Sequence, residues 1–256
     1  MTLKEKLDAR EPAVGSWLSL RDPAVAEMTA ELEFDFVMLD IEHTPNSLET
    51  VIDMARAVDA AGTRTEPLVR MPWNDPVRIK RVLDTGVSGV MAPMVGSAEE
   101  ARELIEATRY PPDGIRGVAG GRAARYGLDM PEYFEWANDE IVTIAQIETS
   151  EGFENVEEIA AVEGLDGLFV GPADLSANLG LYGEWDSQEF LDAVQRILEA
   201  GRAADTAVST LAGSPDAIES RTKQGFDFMM AGTDTAHVMA GSREAKSTFE
   251  DAIEER

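Results

Sequence analysis

Three titratable side chains directly follow an apolar stretch and are the first candidates for chemistry. The stretch Phe34–Leu39 is rich in strand-forming residues, and Asp40, Glu42 and His43 come just after it. A short apolar run is typical of a buried parallel strand, and α/β enzymes carry active-site residues beyond the carboxyl ends of such strands. The same residues would also suit an acidic turn before a helix capped by Asn46.

One arginine and two carboxylates occupy similar positions elsewhere. Arg70, Glu148 and Asp174 each stand at or just beyond the end of an apolar run. Two such carboxylates suit a hard divalent cation such as Mg²⁺ or Mn²⁺, and they equally suit the acid pair of a glycosidase. An arginine at a strand end either pairs with a buried carboxylate or holds an anionic substrate through two hydrogen bonds. Gly171-Pro172 before Asp174 indicates backbone brought close to a ligand.

Asp84 is a further candidate site residue, and the absence of several motifs excludes some reaction types. Asp84 lies near the end of a predicted helix, where an acidic side chain is disfavoured. A role that would explain it is to orient His43 through the second ring nitrogen. We expect the other histidine, His237, to be structural. None of the five lysines ends a predicted strand, which argues against a Schiff-base enzyme. The sequence has no P-loop, no GxGxxG after a strand and no GxSxG elbow.

Alternating strand and helix patterns position these residues. The predicted strands are Val14–Leu20, Phe34–Leu39, Pro67–Arg70, Gly89–Pro93, Ile141–Ile147, Gly167–Val170, Ala207–Leu211 and Phe228–Ala231. Helices are predicted to begin at Asp22-Pro23, Asn46 or Ser47, Asp75-Pro76, Ser97 (in a capping box with Glu100), Phe153, Ser187, Pro215 and Thr235. The alternation and the length of 256 residues predict a (β/α)₈ barrel that forms one domain over residues 1–256. A doubly wound open sheet is the alternative. The long connection Tyr110–Met130 is expected to be functional.

The composition excludes several classes of function. The net charge is −27, with 49 acidic against 22 basic residues, and such a surface repels nucleic acid and anionic membranes. The even spread of acidic residues and the scarcity of lysine predict adaptation to a salty cytoplasm. The chain has no cysteine, so thiolate metal sites, disulfides and cysteine nucleophiles are excluded. No membrane span or signal peptide is recognised, and we expect a cytoplasmic protein.

Several segments together resemble the HpcH/HpaI aldolases, which are class II, metal-dependent pyruvate aldolases related to the citrate lyase β subunit. The matching segments are LDIEHTPNS, LVRMPWNDPVRIKRVLDTGVSGVMAPMV, EEAREL, ATRYPPDGIRGV, AQIETSEG and VEGLDGLFVGPADLSANLG. They lie in order between Gly15 and about Thr235. The resemblance implies the same (β/α)₈ barrel.

The resemblance also implies individual roles. By this resemblance, the implied residues are Glu148 and Asp174 as ligands of a divalent metal (Mg²⁺, Mn²⁺ or Co²⁺), Arg70 on the pyruvate oxygens, His43 as base, Asp84 as its support, Asp40 beside them, and the backbone around Gly171 and Ala173 on the pyruvate carboxylate. Two segments depart from close members: Ile41 separates Asp40 from Glu42, and VAGGRAARYG follows GIRG. The second segment borders the aldehyde side in the family, so the aldehyde is left open.

We therefore predict a metal-dependent enzyme that reversibly cleaves a 4-hydroxy-2-oxoacid to pyruvate and an aldehyde. The alternatives are a related carbon–carbon lyase or decarboxylase of citramalyl or oxaloacetate type, and a non-catalytic barrel. We also predict a homo-oligomer, a hexamer as in the family with a trimer as the alternative. Its last helix is expected to pack on a neighbouring subunit, because its start is apolar in an otherwise charged chain.

Overall fold

Eight parallel strands close into a barrel in the computed structural model, which describes residues 1–254. The strands are β1 (Ala13–Leu18), β2 (Phe36–Asp40), β3 (Glu66–Arg70), β4 (Gly89–Ala92), β5 (Val142–Ile147), β6 (Gly167–Val170), β7 (Ala207–Ala212) and β8 (Phe228–Thr233). Each strand pairs with the next in sequence, and β8 pairs with β1. The predicted barrel is confirmed and the open sheet was wrong. The last two residues of the predicted domain 1–256 lie outside the described range.

Helices alternate with the strands around the outside. They are α1 (Leu3–Asp8), α2 (Pro23–Ala30), α3 (Leu48–Ala61), α4 (Pro76–Leu83), α5 (Ala98–Thr108), α6 (Met130–Glu140), α7 (Ser150–Glu154), α8 (Val156–Ala160), α9 (Pro172–Asn178), α10 (Gln188–Ala204), α11 (Pro215–Gln224) and α12 (Asp234–Glu254). Side-chain caps begin many of them, as at Asp75, whose carboxylate accepts from Arg78 N at 2.8 Å. Only one of the two hydrogen bonds of the predicted capping box at Ser97 forms. Ser97 accepts from Glu100 N, but the Glu100 carboxylate accepts from Gly96 N instead.

The amino-terminal helix α1 covers the end of the barrel where the strands begin. Leu3 and Leu7 of this helix join the cluster of side chains that fills the barrel interior. Basic side chains of this segment pair with aspartates that precede strands, with Lys4 3.2 Å from Asp166 and Lys6 2.6 Å from Asp35. The opposite end, where the strands finish, is therefore the open one.

Three helices differ from the sequence prediction. The connection Tyr110–Met130 contains a 3₁₀ turn at Arg122–Gly127, and the unpredicted α6 follows it. The single helix predicted near Phe153–Ala161 is divided into α7 and α8, because Asn155 between them leaves the helical conformation. The short α9 was also missed.

The last helix, α12, has almost no contact with the rest of its own chain. Only its first residue, Asp234, is buried. Val238, Met239, Phe249 and Ile253 are each at least half exposed. The packing of α12 on a neighbouring subunit remains a prediction. Within residues 1–254, no helix is long and apolar enough to cross a membrane.

Candidate active site

A cavity of about 300 Å³ opens where the strands end, and it brings most of the predicted residues together. The residues that line it include Trp17, Ser19, Asp40, His43, Thr44, Arg70, Gln146, Phe169, Gly171, Pro172, Ala173, Asp174, Leu211 and Thr233. In a parallel barrel this face collects side chains from many strands, and active sites lie there.

A buried ion pair joins the ends of β2 and β3. Asp40 and Arg70 are paired in register on the two strands. Arg70 Nε donates to Asp40 Oδ1 at 2.9 Å and its Nη2 donates to Oδ2 at 2.7 Å, with both side chains buried. The guanidinium also lies 4.5 Å from the ring centroid of Trp17. This bidentate geometry holds Arg70 in one orientation at the wall of the cavity.

Glu42 lies between Arg70 and His43; the sequence analysis counted it among the candidates for chemistry but gave it no individual role. Its Oε2 is 2.9 Å from Arg70 Nη1, and its Oε1 is 3.5 Å from His43 Nε2. Burial raises the pKa of Glu42, although Arg70 and His43 oppose the shift. The His43 side chain is 67% exposed, so its ring is accessible from the cavity and from solvent. Glu42 is therefore the carboxylate that approaches His43 within this chain.

Glu148 is a buried carboxylate directly beyond β5. It is 2% exposed, its Oε1 accepts from Met94 N at 2.9 Å, and its Oε2 accepts from Gln146 Nε2. Burial raises the pKa of Glu148 to about 7, the Met94 N–H opposes this rise, and the nearby charges of Glu42 and Asp174 add to it. Met94 delivers its N–H from a left-handed conformation with φ of 58°, which no sequence signal indicates for a methionine. Gln146 Oε1 is buried without a partner among the described residues.

Gly171 and Ala173 line the cavity beside Glu148. A side chain at Gly171 would not fit, since a Cβ there would lie 2.8 Å from Glu148 Oε2. Its N–H already donates to Ile147 O at 3.3 Å. Pro172 has no N–H, so Ala173, in the first turn of α9, supplies the first amide without an acceptor inside the helix.

Asp84 is not part of this cluster in the chain. It follows α4 at the opposite end of the barrel, because helices of a β/α barrel run back from the carboxyl ends of the strands to their beginnings. Its carboxylate accepts from Arg116 Nη2 at 3.1 Å. The expectation that Asp84 orients His43 is therefore wrong within one chain, and any such contact would require another subunit.

Comparisons with known proteins show the family of the chain. Residues 13–240 match the family model described as HpcH/HpaI aldolase/citrate lyase. The chain belongs to this family. It is 40% identical to a 4-hydroxy-2-oxo-heptane-1,7-dioate aldolase of Shigella sonnei, over 95% of this chain and 92% of that protein. It is also 40% identical to a hydroxypyruvate/pyruvate aldolase of Deinococcus radiodurans, over 99% of this chain and 91% of that protein. Its fold matches the crystal structure of a family protein from Burkholderia cenocepacia J2315 with a TM-score of 0.94 and 37% identity, covering 97% and 98% of the two chains.

The family is metal-dependent in general, and the donors in the cavity fit a hard divalent cation. Glu148 and Asp174 offer only oxygen atoms, which Mg²⁺ and Mn²⁺ prefer. Glu148 is buried near the charges of Glu42 and Asp174, and the Arg70 guanidinium is already engaged by Asp40 and Glu42. Within residues 1–254 no group of three or more His, Cys, Asp and Glu side chains forms a metal centre. Two chain carboxylates, completed by oxygens of water or substrate, are therefore the set that the cavity offers.

Proposed function

We propose that this protein is a class II pyruvate aldolase that cleaves a 4-hydroxy-2-oxoacid to pyruvate and an aldehyde, and catalyses the reverse condensation. The observation that carries the proposal is the Arg70 guanidinium, which Asp40 and Glu42 hold in a fixed orientation at the wall of the cavity. Asp174 lines the same cavity, and Glu148 lies next to Gly171 in its wall. The family aldolases described above support the same reaction class.

In this proposal Glu148 and Asp174 hold the divalent cation, Mg²⁺, Mn²⁺ or Co²⁺. When bound, the cation would supply Lewis-acid polarisation of the substrate carbonyl. The pyruvate carboxylate lies against the backbone around Gly171 and Ala173, where the Ala173 N–H has no acceptor inside the helix.

Arg70 and His43 have separate roles in the proposed reaction. The Arg70 guanidinium stabilises the negative charge that develops on the oxygen at C2 of the substrate. His43 is the base, because an imidazole nitrogen can accept a proton and its ring is accessible from the cavity. It removes the proton of the C4 hydroxyl during cleavage and a proton of the pyruvate methyl group during condensation. Glu42, 3.5 Å from His43 Nε2, stabilises the protonated ring.

The proposed assembly and location are supported by the family resemblance and by the exposed apolar residues of α12. We propose a homo-oligomer, a hexamer with a trimer as the alternative, in which α12 packs on a neighbouring subunit, in the cytoplasm of a salt-adapted cell. Light scattering in molar salt measures the mass, and a monomer there would contradict the assembly.

The direct test is cleavage of 4-hydroxy-2-oxoheptane-1,7-dioate, with pyruvate release followed by a coupled lactate dehydrogenase assay. A panel of aldehydes with pyruvate then identifies the preferred partner in the condensation direction. We expect turnover with Mg²⁺, Mn²⁺ or Co²⁺ and its loss in excess chelator. If oxaloacetate or citramalyl compounds were cleaved and no aldol substrate were, the alternative lyase or decarboxylase function would replace this proposal. A chain that exchanges no pyruvate methyl protons with any metal would be a non-catalytic barrel.

A further inference from the structure

A second cavity lies at the end of the barrel where the strands begin, and the proposed reaction does not use it. It has a volume of about 430 Å³ and lies between the start of α1, the beginning of β3, the residues that precede β4 and the helix α6. Glu66, Tyr133, Trp136 and Glu140 are among the residues that line it, and none of its lining residues lines the cavity at the strand ends. Its volume falls within the range of about 300–1,000 Å³ that is typical of small-molecule sites.

Two carboxylates give this cavity a negative wall. Glu66 is the first residue of β3 and Glu140 is the last residue of α6. Burial raises the pKa of Glu66 and the nearby charge of Glu140 adds to the rise, although the hydrogen bond from Leu3 N opposes it. No basic side chain lines the cavity, and within residues 1–254 neither carboxylate forms an ion pair. The two carboxylates therefore favour a cation in the cavity.

An accessible indole ring adds a second, independent requirement. Trp136 is 45% exposed, and its ring packs against the buried Tyr133 with centroids 4.8 Å apart and planes at 82°. The Tyr133 hydroxyl accepts from Arg116 Nη2 at 3.0 Å, and the guanidinium lies 5.5 Å from the Tyr133 ring centroid. In the described part of the chain no cationic side chain lies over the Trp136 ring. Trp136 is therefore the ring that a bound cation can use, and an indole attracts cations more strongly than the other aromatic side chains.

We propose that this cavity binds an organic cation that carries a methylated ammonium group. The ammonium group lies between the Trp136 indole and the carboxylates of Glu66 and Glu140, and its methyl groups pack on the indole. An inorganic cation satisfies the carboxylates alone, because its hydration shell separates it from the ring. A neutral molecule of the same shape packs on the ring but gains nothing from the carboxylates. Only a methylated ammonium group meets both requirements.

The test is isothermal titration calorimetry of the full-length chain at constant ionic strength. The probes are choline, its neutral analogue 3,3-dimethyl-1-butanol, in which carbon replaces the charged nitrogen, and potassium ion. We expect choline to bind about tenfold or more tightly than either of the other two, the size expected for a charge held by an aromatic ring and carboxylates. This comparison needs no substitution, so it remains decisive even if a variant fails to fold.

Matched variants locate the binding. Trp136→Leu, and separately Glu66→Gln/Glu140→Gln, should each raise the dissociation constant for choline about fivefold or more. The control Trp185→Leu removes an indole that is also 45% exposed but lies outside the cavity. The control Glu132→Gln/Glu135→Gln removes the same charge from exposed positions of α6.

Both controls should bind choline within twofold of the parent, and thermal unfolding shows that each variant folds. Equal binding of choline and the neutral alcohol by the parent would overturn the proposal, as would potassium binding as tight as that of choline. Parent-like choline binding in Trp136→Leu would also overturn it, because the site would then recognise charge without the ring.

Discussion

Replacing Gly171 with alanine adds one methyl group next to the proposed metal ligand Glu148. The new carbon would lie 2.8 Å from Glu148 Oε2 and 2.9 Å from Gln146 Nε2, closer than real Cβ contacts allow. The backbone itself accepts alanine, because φ at Gly171 is −83°. The strain therefore falls on the carboxylate, which must retreat by roughly half an ångström to reach an ordinary contact. Glu148 cannot do so freely, because it is buried and accepts from Met94 N.

Overpacking of this kind typically costs about 1–3 kcal/mol. If that strain must be overcome whenever Glu148 holds a metal, metal affinity falls roughly 5–150-fold, the equilibrium equivalent of 1–3 kcal/mol. Titration with Mn²⁺, with free Mn²⁺ measured by electron paramagnetic resonance, gives the affinity directly. The matched control is Gly213→Ala, at the end of β7, where an added Cβ has nothing within 4 Å. We expect the control to bind Mn²⁺ as the parent does. Parent-like Mn²⁺ affinity in Gly171→Ala would refute the placement of the metal beside Glu148.

Four further predictions concern the base, Arg70, the absence of a lysine adduct and a buried aspartate. His43→Ala should lose exchange of pyruvate methyl protons but keep much of any oxaloacetate decarboxylation, which needs no proton removal; exchange at the parent rate would show that His43 is not the base. In Arg70→Ala the activation free energy of both reactions should rise by about 2.7–4 kcal/mol. A variant in which only one reaction is slowed would contradict the role of Arg70. Pyruvate with borohydride should leave the protein mass unchanged, because within residues 1–254 no lysine lines the cavity, and a trapped adduct would contradict the class II assignment. Burial raises the pKa of Asp166 from 3.8 to about 6, although Lys4 opposes the rise. The contribution of Asp166 to the free energy of unfolding is therefore fully present below pH 4 and is lost as the pH rises through 6. The loss is roughly 3 kcal/mol, at about 1.36 kcal/mol per pKa unit. Urea unfolding from pH 4 to 7 should show a smaller fall for Asp166→Asn than for the parent, and equal slopes would contradict the shift.

The barrel could be predicted from the sequence because its strands are buried on both faces. Such strands are short runs of apolar residues, and all eight predicted runs overlap the observed strands. The residues just beyond those runs could be predicted for the same reason, since parallel strands deliver their carboxyl ends to one face. The helix α6 could not, because only Tyr133 and Ala137 are buried along it and it has no continuous apolar stripe.

The contacts around the site residues could not be predicted from the sequence. Trp17 lies within β1, where an aromatic residue is ordinary, and only the closed barrel places its ring under Arg70. Met94 has a left-handed backbone that its residue type does not suggest. The contact of Trp17 with Arg70 and the hydrogen bond from Met94 N to Glu148 join residues that are distant in sequence. No local sequence pattern predicts them.

The two carboxylates that could orient His43, Asp84 and Glu42, differ in whether one chain alone can place them beside it. Asp84 was singled out because an acid at a helix end is electrostatically disfavoured. That argument concerned its own helix, and its carboxylate is in fact engaged by the buried Arg116 at the far end of the barrel. Glu42 is adjacent to His43 in sequence and bridges it to Arg70. Because β/α topology sends every helix end away from the strand ends, a helix-terminal residue can reach the catalytic face only from another subunit. A dilution experiment separates the two carboxylates: if Asp84 acts between subunits, activity per chain falls as the oligomer dissociates, whereas support from Glu42 alone would leave it constant.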